Sequence, residues 1–211
     1  MGGMRPFALS IVCLVSCLTA VDVSAQTRLE LSCSAFGPGT SAAELSARFG
    51  SSNVADGGVY VGEGFYEPGT VLFADDPEQR VEILWKEEDA KRSPESLRIR
   101  GDKSQWRTPH GLTLGMDLQT VERINRRPFR LRGFGWDYGG TTTSWSGGAF
   151  AGAETPGCVV WARFLSDEEH LTTDERRLFH QVRGEREFSS GHPGVHASHA
   201  RVWQFGLVWR E

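Results

Sequence analysis

The chain lacks the features that would place it in several large functional classes. It has no surplus of positive charge: 23 Lys and Arg stand against 27 Asp and Glu in 211 residues, a net charge of -4. A nucleic-acid partner, whose phosphates call for a basic surface, is therefore not expected. Modest net charge with 39% hydrophobic residues also excludes a disordered chain. Cysteine is scarce, and no CxxC pair occurs, so neither a disulfide mini-protein nor a zinc ribbon fits. HExxH, GxSxG and GxxxxGK are missing, and none of the 6 His stands in a recognisable hydrolase context. Gly62-Glu63-Gly64 and Gly133-Phe134-Gly135 lack the strand-helix-strand surroundings of a dinucleotide site. Paired acids such as Asp75-Asp76 and Glu87-Glu88 fall in expected turns, where solvation accounts for them. No transmembrane span, catalytic group or cofactor is expected.

What is present begins with an export signal. Arg5 precedes an almost unbroken apolar run from Phe7 to Val21, and Val23-Ser24-Ala25 supplies the small residues of a cleavage site. Residues 1–25 are thus expected to be a signal peptide cut after Ala25, giving a periplasmic or secreted protein. A lipid anchor at Cys17 is the less favoured alternative, from Leu14-Val15-Ser16-Cys17. Cleavage removes Cys13 and Cys17 and leaves Cys33 and Cys158, which in an oxidising compartment are most simply one disulfide. Two buried thiols or a metal pair stay open as alternatives.

The rest reads as one unit written twice, over residues 26–110 and 111–211. Gly39 to Gly50 and Gly115 to Arg126 each have the pattern of a short amphipathic helix. Leu45 and Phe49 lie in the apolar stripe of the first, behind Ser41 and Glu44 as a capping box. Leu118, Val121 and Ile124 make the stripe of the second, behind Asp117 as cap. Gly64-Phe65-Tyr66-Glu67-Pro68-Gly69-Thr70 then corresponds to Gly135-Trp136-Asp137-Tyr138-Gly139-Gly140-Thr141. Trp85 and Trp161 are offset by the same interval as Gly39 and Gly115. Strands are expected at Leu29–Ser34, Val59–Gly62, Thr70–Phe73, Val81–Trp85 and Leu97–Arg100 in the first copy. In the second they are expected at Phe129–Gly133, Thr141–Trp145, Cys158–Phe164 and Arg201–Trp209. Lys86–Glu95, a charge run with Pro94, reads as a solvated loop. Thr172 and Glu175 read as a capping box for a short helix, with a strand ending at Gly184 nearly as well supported. The fold class expected is α+β: two helix-plus-antiparallel-meander repeats forming one sheet, with the helices on one face.

Leu114-Gly115-Met116, Val121, Ile124, Arg127-Pro128-Phe129 and Trp136-Asp137-Tyr138 together resemble the SmpA/OmlA family of small outer-membrane lipoproteins. That family includes a subunit of the β-barrel assembly machine and shares its fold with the tandem β-lactamase inhibitor proteins. The resemblance implies an exported, non-catalytic protein-binding module of inhibitor or assembly-factor type, whose partner is another envelope or secreted protein. Two features depart from the pattern: Arg126 stands where a glycine usually closes the helix, and the C-terminal segment has no counterpart.

The expected binding surface is aromatic. Trp136, Asp137, Tyr138 and Trp145 lie in a stretch rich in Gly and Thr, and Phe65, Tyr66 and Glu67 occupy the matching turn, so two aromatic turns on one concave sheet would form a clamp. Trp161, on an expected buried strand, serves as the core counterpart. His192, His196 and His199 would share one face of a helix begun by Pro193, but Gly194 weakens that helix and no acid or cysteine completes a zinc set, so no metal is expected. The alternative function is an envelope glycan-binding protein or cell-wall-acting enzyme, with these rings stacked on sugars and Glu67 and Asp137 on hydroxyls.

Overall fold

The computed structural model describes residues 29–152 and 157–210. The expected signal peptide and the lipid-anchor cysteine Cys17 lie outside the described residues, and no described helix is long and apolar enough to cross a membrane. The fold is α+β and its strand ladders are antiparallel. Four short helices occur among the described residues: α1 (Ala42–Phe49), α2 (Leu118–Asn125), α3 (Thr173–Phe179) and α4 (Pro193–His196). The strands are β1 (Val54–Gly62), β2 (Phe65–Leu72), β3 (Val81–Glu87), β4 (Arg92–Arg100), β5 (Arg130–Arg132), β6 (Thr142–Ser144), β7 (Cys158–Leu165), β8 (Glu187–Ser189) and β9 (Arg201–Trp209).

Local chemistry accounts for the helix starts. Ser41 accepts from the Glu44 amide, Asp117 accepts from the Thr120 amide, and Thr172 with Glu175 closes a full capping box. The helical alternative at 172–182 is therefore the one adopted. Arg126 closes α2 in the left-handed region at φ 65, the conformation a glycine would take most easily.

The strands form two sheets rather than the single sheet expected. The larger has the order β1-β2-β3-β4-β9-β7, and the smaller has β6-β5-β8. In the first half, β2 and β3 are neighbours in one sheet. Their sequence counterparts β6 and β7 belong to different sheets, joined where the Ala162 amide donates to Thr142 Oγ1 at 3.0 Å and the Phe164 amide to Gly140 O at 3.0 Å. The last strand, β9, inserts between β4 of the first half and β7 of the second, so both halves build one sheet.

Three further expectations need correction, and one strand was not expected at all. Leu29–Ser34 forms only a single bridge, Glu30 to Arg107, before a turn. Lys86–Glu95 is mostly hairpin: charged residues cap β3 and β4, and Pro94 is tolerated opposite Trp85 because the register shifts there. Phe65-Tyr66-Glu67 lies in β2, not in a turn, since the turn is Glu63-Gly64, both at positive φ as a two-residue hairpin of type I′ requires. The strand β8 carried no recognisable signal.

The larger sheet has two different faces. Ile83, Leu97 and Ile99 align with Phe205, Leu207, Val160 and Ala162 on one. They share a continuous apolar cluster with Leu45 of α1, Leu118 and Val121 of α2, and Phe129, Phe164 and Phe179. Burial of this area is the main stabilising term. Cys33 and Cys158, 125 positions apart in sequence, are bonded into a disulfide at its margin, with Cα atoms 6.0 Å apart. In the chain-entropy model a loop of that length contributes about 4 to 5 kcal/mol.

Candidate functional site

The opposite face carries Glu82, Arg98, Gly206 and Trp161 in one cross-strand row, and Arg100, Gln204 and Arg163 in the next. An Arg98 Nη1 donates to the Tyr60 carbonyl of β1, although β2 and β3 intervene in the sheet. In a flat sheet three strand spacings would separate them by roughly 14 Å, beyond an arginine's reach. The β1–β2 hairpin therefore curls over this face. Val59, Val71 and Leu84 are buried beneath it, outside the main core cluster. Gly69 sits in the bend, where an added Cβ would lie 2.8 Å from Val59 Cγ2.

The tip of the hairpin reaches the second half of the chain. Asp137 Oδ2 accepts from the Glu63 amide at 2.8 Å, which holds Glu63 at its uncommon φ of 51. Tyr138 lies against Gly62, where an added Cβ would come within 2.9 Å of its hydroxyl. The loop carrying Asp137 and Tyr138 is anchored by Gly139 and Gly140: Gly139 O accepts from Arg163 Nε at 3.0 Å, and Gly140 presses on Phe164, leaving no room for a side chain. Trp136 is half-buried, edge-on to Tyr138 at 5.4 Å between ring centroids, with its Nε1 donating to Gly133 O.

Hairpin, loop and sheet border an open hollow of about 330 Å³. Tyr60, Gly62, Ser96, Arg98, Asp137, Tyr138, Trp161, Arg163 and Gln204 are among the residues that line it. The Arg98 guanidinium lies 5.8 Å from the Trp161 ring centroid and that of Arg163 5.0 Å from the Trp203 ring. Gly206 makes the first contact feasible, because its missing side chain leaves the Trp161 indole free to lie between β7 and Arg98.

The expected clamp is brought together only in part. Asp137 and Tyr138 border the hollow. Phe65 and Tyr66 are 67% and 64% exposed beyond its rim, with Tyr66 edge-on to Tyr60, and Glu67 is exposed beside them. Trp145 is corrected: it is buried at 3% exposure, packs on Phe129 and Phe150, and donates to Val160 O, so it belongs to the core. Trp161, expected in the core, is half-buried in the hollow. Arg98 and Arg163 had no place among the sequence-based expectations, and Trp161 was assigned there to the core. The signal was there in the alternation of Leu97-Arg98-Ile99-Arg100 and of Ala162 with Trp161 and Arg163, which assigns them to the face away from the core.

Electrostatics set two arginines apart. Arg80 and Arg100 pair with the buried Glu82 at 3.3 and 2.6 Å. Arg98 and Arg163 form no ion pair among the described residues. Burial pushes both guanidinium pKa values below their ordinary value. For Arg98 the neighbouring Arg100 and Arg163 push the same way, against the opposing pull of Glu82. Asp137 and Tyr60 pull Arg163 back up. Arg98 Nε is sealed from water without a hydrogen-bond partner.

The three histidines do not converge. His192 caps α4 by accepting from the Gly194 amide, His196 faces Glu122 at 3.8 Å, and His199 bonds Glu175 at 2.8 Å. No cluster of metal-ligating side chains occurs among the described residues. Comparison of the chain with family models, with curated proteins and with solved structures finds no match in any of the three.

Proposed function

We propose that the protein is an exported, non-catalytic binding module of the bacterial envelope, of inhibitor or assembly-factor type, that holds a partner protein in the hollow behind its main sheet. The observation that carries this is the hollow itself: strands and loops from both halves enclose a face bearing rings and unpaired guanidiniums, where a merely structural sheet would be covered or evenly charged. The disulfide supports export. Kinship with the SmpA/OmlA family, and descent of the two halves from one duplicated unit with helices on one sheet face, belong to the same proposal. In support, each half opens with a capped eight-residue helix, and Arg126 adopts the left-handed conformation at the position of that family's glycine.

The test fills the hollow. Ser96→Trp places an indole in it from β4, and a photocrosslinker at Tyr138 captures what binds in the native envelope. A protein captured by the parent chain and lost with the filled hollow, at unchanged thermal stability, is the expected result. The same proteins captured by both chains would overturn the proposal.

One observation favours a second function, glycan binding: Trp161 and Tyr138 border the hollow together with Asp137, a pairing that suits sugar rings and hydroxyls. Quenching of tryptophan fluorescence by cell-wall fragments, abolished by Trp161→Leu, would establish it.

A further inference from the structure

The hollow contains an electrostatic arrangement that the fold alone does not require. Two guanidiniums, Arg98 and Arg163, are carried on β4 and β7 on the same sheet face, each partly withdrawn from water and close enough to repel. A stability-driven sheet would pair them, as it pairs Arg80 and Arg100 through Glu82. Glu82 and Asp137 act on Arg98 and Arg163 only from beyond ion-pair distance, and the cost of such partly buried cations falls when an anion supplies a direct acceptor. The two carboxylates on the hollow's edge do not fill this role. Asp137 is engaged by the Glu63 amide, and neither it nor Glu95 reaches Arg98 or Arg163 as an ion pair.

A second feature bears on what carries the anion. β1 is a nine-residue strand at the edge of the sheet, with no strand on its outer side among the described residues, and its end, Tyr60 to Gly62, lines the hollow, where the Tyr60 carbonyl accepts from Arg98. An unpaired strand edge offers amides and carbonyls at a spacing that matches another polypeptide strand, not a sugar chain. Resting on the binding function proposed above, we infer that the hollow takes a glutamate or aspartate side chain from an extended segment of the partner. The segment adds to the outer edge of β1 and lays its carboxylate between Arg98 and Arg163. Trp161 and Tyr138 flank the aliphatic stem, and alternate side chains of the segment point away to solvent.

The test uses the full mature chain and three probes: a capped peptide of alternating Thr and Glu, its counterpart with Gln in place of Glu, and an oligogalacturonate. Binding is followed by the Nε–H resonances of Arg98 and Arg163 and the indole resonance of Trp161. The Glu peptide is expected to shift all three and to bind at least about tenfold more tightly than the Gln peptide, the difference one charge-assisted pair makes. Arg163→Gln, away from the main core, is expected to remove that difference, while Arg177→Gln on α3 leaves it intact. Equal affinity for the two peptides, or no shift at either arginine, would overturn the carboxylate site. The proposed protein-binding function would still stand if the filled-hollow variant loses its captured partner. Shifts from the oligogalacturonate alone would overturn the polypeptide occupant, and the protein-binding function with it.

Discussion

The two faces of the six-stranded sheet are made from the same strands, residue by alternate residue, and they behave oppositely. Leu97, Ile99, Phe205 and Leu207 are fully buried in one continuous cluster. One position along, Arg98, Trp161 and Arg163 border open space, with Gly206 buried beneath the Trp161 indole. The comparison teaches that the core-forming face and the face bordering the hollow are chemically separate, so that stability and the proposed recognition can be probed apart. The pleat sends alternate side chains to opposite sides, and a substitution on one side leaves the other side's contacts in place.

The sharpest break of that separation comes from the core face. Phe205→Ala removes a fully buried ring and is expected to cost about 3 to 5 kcal/mol in chemical denaturation. Arg163→Gln, whose partner residue Gln204 adjoins Phe205, is expected to cost about 0.5 to 1.5 kcal/mol, the net worth of its bond to Gly139 O, while abolishing preference for an acidic probe. Equal losses from the two would show that the faces are one cooperative unit.

Gly206→Ala crosses the boundary between them. Its Cβ would strike the Leu97 carbonyl and come within 2.9 Å of Trp161 Nε1, so strands must shift. A cost of about 1 to 3 kcal/mol is expected, with a moved Trp161 emission maximum reporting loss of its contact with Arg98. An unchanged emission maximum would mean that the row is not held by close approach.

Smaller again is the joint Trp136→Ala and Tyr138→Ala change on the loop. Trp136 is half-buried and Tyr138 is 41% exposed. The pair is expected to cost about 1 to 2 kcal/mol, below the value for Phe205 alone. Capture of partner should fall further than stability does. A loss as large as that of Phe205→Ala would make this loop part of the core.

The smallest effect lies away from both faces. Thr172 hydroxyl and amide donors, then His199, hold the Glu175 carboxyl down at about 2. Because the folded value lies below the unfolded one, the associated stability is present above pH 4.5 and fades as pH falls toward 2. Thr172→Ala should raise the Glu175 titration midpoint, measured by NMR, and flatten that part of the acid profile. An unmoved midpoint would transfer the role to His199.

Much of the local structure was readable because its causes lie within a few residues. Ser41, Asp117 and Thr172 each satisfy the amide three positions ahead, so their helices announce themselves. Capping did not distinguish Trp145 from Trp136, though. Both are rings among glycines and threonines, and only the packing of Phe129 and Phe150 puts one inside. Likewise the charged stretch around Pro94 is polar enough for a loop, and it becomes strand because Trp85 and its neighbours on β3 offer a ladder to join.

By itself, the amino-acid order determined where helices begin, which residues of a strand share a face, and which two cysteines are available to bond. Each of these follows from dihedral preference, hydrogen-bond reach or elimination over short distances. Only the tertiary structure decided that β9 lies between β4 and β7, that β6 and β7 part into different sheets, and that the β1–β2 hairpin curls until Glu63 meets Asp137. Those pairings join residues far apart in the chain, where many registers satisfy the same alternation. The one adopted is chosen by how the whole apolar cluster closes, and the hollow exists as the remainder of that choice.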